Sequence, residues 1–403
     1  IEVDSDKSIS IRCFLIGAIS QNISRAKNVL ESEDVYSAIE CLKKLGVKIK
    51  KNKKKDYTIF GKGLGSLFAK KNTILNFGNS GTLARLLIGI LSTTDNIELK
   101  IRGDHSLNRR SMRKLINLMS EFGATFLPKN KFQFPLKIIS TELPIAINYR
   151  AGVSAQLKSA VILAGLNSYG TTTIIENEKS RDHTENILKL ISNAIKIRKA
   201  KKKFILIEGK KTLNPLNIKV PGDPSSAAFF VALTLLKENS LLKINNVGLN
   251  PTRTGFYKIL KKGGASISFI KMKKENNENV GNILVRSSKL KPLKVSKKYY
   301  VNSTDEYPIL FVIAGLTKGV STFNGISDLV NKESNRIKEM QNVLRQVGIK
   351  SISSKDKLKI YGRGMIDASN KKIIVRNLGD HRICMSSFIL ASLTGAKTKI
   401  RNF

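Results

Sequence analysis

The sequence predicts an α/β protein built from six repeated units that group into larger domains. Six times along the 403 residues a polar, cap-like cluster precedes a long apolar run ending near Gly or Ser. The clusters begin roughly 70 to 80 residues apart, longer than the roughly 20 to 50 residues of solenoid and propeller units. Between the runs stand a second, amphipathic helix pattern and stretches that alternate as strands do. The composition, 41% hydrophobic and 25% charged, is that of a folded chain, and its length suits two or three domains.

In chain order, Asp6-Lys7-Ser8 leads into the apolar run 9–19, and Asn79-Ser80-Gly81-Thr82 into 83–91. Ser154-Ala155-Gln156 leads into 157–166, and Asp223-Pro224-Ser225-Ser226 into 227–236. Thr304-Asp305-Glu306 leads into 309–316, and Gly379-Asp380-His381 into 383–393. Runs apolar all round mark helices buried inside a domain. The amphipathic helices are expected at 35–45, 111–122, 184–194, 254–262 and 332–347, with Gly-led strands following at 46–49, 123–126, 264–268 and 348–350. Lysine-rich runs at 50–55, 201–203 and 271–274 are expected at hairpin tips. One unit thus reads strand, buried helix, strand, outer helix and two strands.

If equivalent buried helices point alike, their N-termini converge. Each end offers unpaired N–H groups and positive potential, an anion site before any side chain is counted. The plainer possibility is that each polar cluster is an ordinary N-cap. The net charge of +41 invites a nucleic-acid reading, but only 18 of the 71 basic residues are Arg, Trp is absent and aromatics are 6%. Phosphate grips more often use Arg forks and stacking faces, so the lysines are read as loop decoration. Cys13, Cys41 and Cys384 share no disulfide or zinc spacing, which points to a reducing compartment. No apolar run nears the roughly 18 to 20 residues of a membrane span, and no signal segment is visible. A cytoplasmic protein is expected, and one that begins at Ile1 rather than Met is expected to lack a few residues.

Gly78-Asn79-Ser80-Gly81-Thr82 with Arg85, Asp6-Lys7-Ser8 with Arg12, and Ser180-Arg181-Asp182-His183-Thr184 resemble signatures of the 5-enolpyruvylshikimate-3-phosphate synthase family. So do Ser154-Ala155-Gln156, Lys332-Glu333-Ser334 with Arg336, and Asp380-His381-Arg382, all in order along nearly the whole chain. The resemblance implies an inside-out α/β barrel: two lobes of three βαβαββ-type repeats that close over substrate. One lobe would be residues 7–221, the other residues 1–6 with 222–403. It implies transfer of the enolpyruvyl group of phosphoenolpyruvate to the 5-hydroxyl of shikimate 3-phosphate, with release of phosphate through a tetrahedral ketal. It further implies no metal or organic cofactor. From the composition and the short apolar runs no nucleic-acid or membrane partner is expected, and with no interface patch evident a monomer is expected.

By the same resemblance Lys7 touches both substrates. Ser8, Arg12, Ser154, Ala155 (through its backbone), Gln156, Arg181, Asp305 and Lys332 bind shikimate 3-phosphate. Gly81, Arg110, Gln156, Arg336 and Arg382 bind phosphoenolpyruvate; bidentate forks suit its carboxylate and phosphate. Asp305 takes the 5-hydroxyl proton and Glu333 protonates the methylene carbon. A structural role is expected for Glu306, and His381 either positions phosphate or caps its helix. Arg12 and Arg85 lie in otherwise apolar helices, where a charge without a partner is costly.

Ile11, Ser111 and Asn335 stand where the family pattern has His, Pro and Asp. The family pattern also continues past Phe403 to a further catalytic lysine, which Lys397 and Lys399 precede and do not replace. The nearest rival within the fold is the UDP-N-acetylglucosamine enolpyruvyl transferase, which has Lys-Asn where Lys7-Ser8 stands. It also carries a reactive Cys where Gly103-Asp104-His105-Ser106 stands, and no Cys lies there. A non-catalytic homologue and a basic nucleic-acid-binding protein are more distant rivals.

Overall fold

Six sheets, each served by one apolar helix, organise the chain in a computed structural model that describes residues 1–200, 202–376 and 379–401. Two compact units result. The first takes in residues 5–221 with 275–278, the second residues 1–4, 222–274 and 279–403. Ser5 and Asp6 fall with the first unit, where the Asp6 N–H donates to the Pro221 carbonyl at 2.8 Å.

The helices of the first unit are α1 (Lys7–Ile19), α2 (Glu33–Lys44), α3 (Gly81–Ser92), α4 (His105–Arg109), α5 (Arg113–Glu121), α6 (Ala155–Asn167) and α7 (His183–Ile191). Those of the second are α8 (Pro224–Leu236), α9 (Gly255–Lys262), α10 (Tyr300–Ser303), α11 (Tyr307–Gly315), α12 (Arg336–Gln346) and α13 (His381–Thr394). The apolar runs are α1, α3, α6, α8, α11 and α13, and their residues are buried on nearly every face. The amphipathic patterns form α2, α5, α7, α9 and α12, with one face in the core.

The second repeat shows the unit most plainly. Strand Ile74–Asn76, α3 and strand Glu98–Arg102 make a parallel crossover, with Ile74 opposite Lys100. After α5, strands Thr125–Leu127 and Leu136–Ile139 complete the sheet antiparallel. The third and fifth repeats follow the same order. In the first repeat the leading strand comes from the far end of the unit, where Asn217–Lys219 pairs parallel with Ile23–Lys27. The fourth has parallel bridges, Glu2 to Asn245 and Gly222 to Val247, in that place.

Glycines set the close approaches between these parts. A Cβ on Gly89 of α3 would lie 2.6 Å from the Ala160 carbonyl oxygen of α6, so the two buried helices meet at backbone distance. Gly61 and Gly209 follow a hairpin strand, Gly362 is the last residue of one, and each presses against a buried helix's C-terminal end. A Cβ there would fall 2.1, 1.8 and 1.9 Å from the carbonyls of Ser20, Ser168 and Thr317.

Two expectations are corrected. Lys271, Lys273 and Lys274 lie within strand Ser266–Glu275, not at a tip, and the turn is Asn276-Asn277 with φ of 51° and 58°. Asn takes this left-handed conformation more readily than Lys, and a two-residue hairpin needs it twice. Lys50, Lys51 and Lys53 likewise sit in strand Lys48–Lys53, while Lys54 and Lys55 do form the turn that follows it, Lys55 with φ of 60°. Of the run 201–203, residue 201 lies outside the described residues and Lys203 begins strand Lys203–Glu208. The helix expected over 332–347 begins only at Arg336, because the Asn335 side chain accepts from the Lys338 N–H at 3.1 Å and caps it there.

Candidate active site

In the first unit the polar clusters do cap their helices. Asp6 accepts from the Ile9 N–H at 2.9 Å, Ser80 from Leu83 at 3.3 Å and Ser154 from Leu157 at 3.4 Å. The cap reading is therefore right for these three, and the residues that follow each cap carry the charge. Helical side chains lean toward the N-terminus, so an arginine one turn in reaches back to the open end. Arg12 Nη1 donates to the Ser8 carbonyl at 2.9 Å, and Arg85 Nη1 to the Gly81 carbonyl at 3.0 Å. Both cations stand at a helix end already positive in potential, an arrangement that favours an anion.

Arg12 is buried, and its guanidinium is fixed by Thr184 Oγ1 at 2.8 Å and Ser159 Oγ at 3.0 Å. Arg85 also gives Nη1 to Gln156 Oε1 at 2.8 Å, while Gln156 Nε2 donates to Thr82 Oγ1 at 3.0 Å. Arg110 donates to Asn79 Oδ1 at 2.7 Å. Gly81 lies between the two arginines: a Cβ there would be 2.7 Å from Arg85 Nη1 and 3.1 Å from Arg110 Nη1. Lys7 pairs with Asp34 of α2, Nζ to Oδ2, at 2.7 Å. Ala155 opens α6 directly after its cap. Arg181 follows Ser180, which is buried and gives both its N–H and its hydroxyl to Glu176 at 2.9 and 2.8 Å.

In the second unit the charges gather around Arg336, whose side chain is 1% exposed. Its Nε donates to Asp380 Oδ2 at 2.9 Å and its Nη2 to Glu333 Oε2 at 2.6 Å, with Asp305 Oδ1 at 3.7 Å from Nη1. Burial works against the charge of this guanidinium, but Asp380, Glu333 and Asp305 outweigh it and hold Arg336 ionised well beyond its ordinary range. Arg382 Nε stands 3.5 Å from Asp305 Oδ1, so Asp305 bridges the two arginines. Asp380 also caps α13 through the Arg382 N–H at 3.2 Å and accepts from Ser334 Oγ at 2.9 Å. Lys332 pairs with Asp328 at 2.6 Å, beside the Tyr300 hydroxyl on the same carboxylate. Glu306, next to Asp305, is buried and accepts from Ser225 Oγ, which Arg253 also contacts at 2.8 Å. His381 is exposed at the first turn of α13.

The residues singled out in the sequence thus fall into two sets. Lys7, Ser8, Arg12, Gly81, Arg110, Ser154, Ala155, Gln156 and Arg181 are carried by the first unit; Asp305, Lys332, Glu333, Arg336 and Arg382 by the second. Sequence reasoning missed Asp34 and Asp328 as partners of Lys7 and Lys332, named Asp380 in a cap cluster and a motif without its pairing to Arg336, and missed the buried charges around Glu176 behind Ser180. The departures from the family pattern have local accounts: Ile11 is fully buried, Ser111 Oγ accepts from the Arg113 N–H at 3.4 Å, and Asn335 caps α12. Burial pushes the Cys13 and Cys41 thiols up to about 12, so neither is a nucleophile at neutral pH.

Six α/β repeats, with arginines and lysine at helix N-termini and carboxylates interleaved with arginines, define a protein equipped to handle phosphate and carboxylate anions. The family model for "EPSP synthase (3-phosphoshikimate 1-carboxyvinyltransferase)" matches residues 1–403, and the chain belongs to that family. It is 37% identical over 398 residues to the 3-phosphoshikimate 1-carboxyvinyltransferase of Paramagnetospirillum magneticum, covering 98% of this chain and 88% of the relative. It is 38% identical over 397 residues to that of Zymomonas mobilis, covering 98% and 87%. Among solved structures, EPSP synthase from Acinetobacter baumannii superposes with a TM-score of 0.83 at 32% identity, covering 100% of this chain and 90% of that one. The enolpyruvyl transferase NikO from Streptomyces tendae shares the fold, with a TM-score of 0.74 at 14% identity over 100% and 90% of the two chains. Among the described residues no helix is long and apolar enough to cross a membrane.

Proposed function

We propose that this chain transfers the enolpyruvyl group of phosphoenolpyruvate to the 5-hydroxyl of shikimate 3-phosphate and releases inorganic phosphate. A proton adds to the methylene carbon of phosphoenolpyruvate while the 5-oxygen bonds to its central carbon and loses its own proton. The tetrahedral ketal then gives up a methyl proton and its phosphate, which restores the double bond. Both substrates are anions and the leaving group is one, so the reaction needs cations at fixed positions, an acid and a base.

On the first unit, Arg12, Arg181, Ser8, Ser154, Ala155 and Gln156 take shikimate 3-phosphate. Gly81 and Arg110 take phosphoenolpyruvate, and Lys7 serves both. On the second unit, Arg336 and Arg382 take phosphoenolpyruvate and Lys332 faces shikimate 3-phosphate. Asp305 accepts the 5-hydroxyl proton, and Glu333 delivers the proton to carbon. The observation that carries this reading is the shared attachment of both carboxylates to Arg336, at 2.6 Å for Glu333 and 3.7 Å for Asp305. One buried cation thereby keeps two carboxylates of different role together. The protein acts as a monomer in the cytoplasm in this reading.

The test is phosphate release from phosphoenolpyruvate with and without shikimate 3-phosphate. Release that depends on shikimate 3-phosphate, with a new enol ether in the product, is the expected result. Release with UDP-N-acetylglucosamine instead would overturn the substrate, and binding of shikimate 3-phosphate without turnover would leave a non-catalytic homologue.

A further inference from the structure

We infer that Lys158, buried on α6 one turn inside its cap, positions both arginines assigned to the phosphate of shikimate 3-phosphate. The inference rests on the reading of Arg12 and Arg181 given above. Lys158 has 0% side-chain exposure, and its Nζ lies 2.7 Å from Glu176 Oε1 and 2.8 Å from Glu185 Oε1. Glu176 ends strand Thr171–Glu176 and Glu185 sits in the first turn of α7, so the ammonium ties three elements at one point. Lys203 completes the set, 2.8 Å from Glu176 Oε2 and 3.5 Å from Glu185 Oε1.

Two connections run outward from this cluster. Glu176 Oε1, held by Lys158, also receives the N–H and hydroxyl of Ser180, and the Ser180 carbonyl faces Lys158 Nζ at 3.5 Å. The residue before Arg181 is therefore gripped through its backbone and side chain, so the loop presents Arg181 from a fixed stem. Along α6 the next residue is Ser159, and along α7 the residue before Glu185 is Thr184. These two hydroxyls are 2.8 Å apart and together hold Arg12. The Lys158–Glu185 pair draws α6 and α7 together at the level where their adjacent residues hold Arg12.

Stability does not explain burying such charges, since well-packed apolar residues in place of a buried ion pair are often neutral or stabilising. What the cluster supplies is a defined geometry behind two cations that meet one phosphate. A misplacement of about 1 Å can lower activity roughly a hundredfold, so looseness here falls on affinity for that phosphate.

The experiment compares Lys158→Met with the charge-compensated Lys158→Met/Glu185→Gln, alongside Arg181→Ala. Thermal unfolding, amide exchange over residues 177–185 in the unliganded protein, and KM for each substrate with kcat are read. The expected result is a folded double variant whose segment 177–185 exchanges faster than the parent's. Its KM for shikimate 3-phosphate rises about tenfold while KM for phosphoenolpyruvate and kcat move less than about threefold. If the single variant does not fold, the double variant carries the test. Parental exchange, or a parental KM for shikimate 3-phosphate in the folded double variant while Arg181→Ala raises it, overturns the inference alone. A parental KM in Arg181→Ala removes the phosphate assignment, and the inference falls with it.

Discussion

Arg336 Nε and Asp380 Oδ2 stand 2.9 Å apart with both side chains 1% exposed, so the first residue of α12 and the cap of α13 form one buried pair. Asp380→Ala removes the cap and leaves the guanidinium short of a partner. A loss of about 3 to 5 kcal/mol in urea unfolding is expected, the usual cost of breaking a buried pair. Asp380→Asn keeps a good capping side chain and loses only the charge, so it is expected to lose less stability yet lower kcat/KM for phosphoenolpyruvate at least about tenfold. Equal stability loss in the two variants would show that the cap contributes nothing.

Lys7 and Asp34 differ in kind, since Lys7 is 30% and Asp34 17% exposed in their 2.7 Å pair. Partly exposed pairs contribute at most about 1 kcal/mol, so Lys7→Met should melt within a few degrees of the parent. A cation at a helix N-terminus opposes the dipole and is justified by an anion bound there. Phosphate release by Lys7→Met is therefore expected to fall below detection while circular dichroism is unchanged, and near-parental turnover would remove Lys7 from the reaction.

Gly81→Ala places a methyl 2.7 Å from Arg85 Nη1 and 3.1 Å from Arg110 Nη1. Both contacts are the ends of flexible side chains, so the fold absorbs the change and the arginines move. The expected outcome is a KM for phosphoenolpyruvate raised about tenfold or more, with KM for shikimate 3-phosphate within about twofold. Steady-state kinetics with each substrate varied in turn checks it.

The fold was legible because six apolar runs recur with their caps, and burial all round follows from composition alone. Charge alone does not mark a turn: Lys54 and Lys55 do form one, but Lys271, Lys273 and Lys274 do not, because an edge strand with an open face accepts Lys and the turn beyond it is made by Asn276 and Asn277 at positive φ. In the site, Arg12 was visible as a charge inside an apolar helix. Lys158 carries that same signal between Leu157 and Ala160, but its partners Glu176 and Glu185 lie on other elements and no spacing announces them. Asp34 was hidden for the opposite reason: an acid in the first turn of α2 is ordinary dipole compensation until Lys7 is seen beside it.

Glu176 makes acid stability readable. Burial would raise its carboxyl, but Lys158, Lys203 and the Ser180 N–H together hold it down at about 2 against an ordinary 4.5. The folded pKa is lower than the unfolded one, so the ionised form favours the fold. Its contribution is complete above about 4.5 and is lost as pH falls toward 2. Unfolding free energy measured between those limits should drop by on the order of 3 kcal/mol from this group. Glu176→Gln should flatten that part of the profile, and an unchanged slope would place the acid sensitivity elsewhere.

Gly209→Ala tests the repeat itself. Its Cβ would fall 1.8 Å from the Ser168 carbonyl oxygen, and Gly61 and Gly362 meet Ser20 and Thr317 in the same way at 2.1 and 1.9 Å. The obstacle is backbone at the end of a buried helix, so no rotamer relieves it and the hairpin strand must draw back. A loss of about 1 to 3 kcal/mol or more is expected for each variant in urea unfolding. Gly152→Ala serves as the control, since nothing lies within 4 Å of its added methyl and its φ is not in the left-handed region. It should be neutral or gain up to about 1 kcal/mol by restricting the unfolded chain. If all four variants unfold alike, the three glycines are not the close contacts that fasten hairpin to helix, and the repeat is held by its apolar core alone.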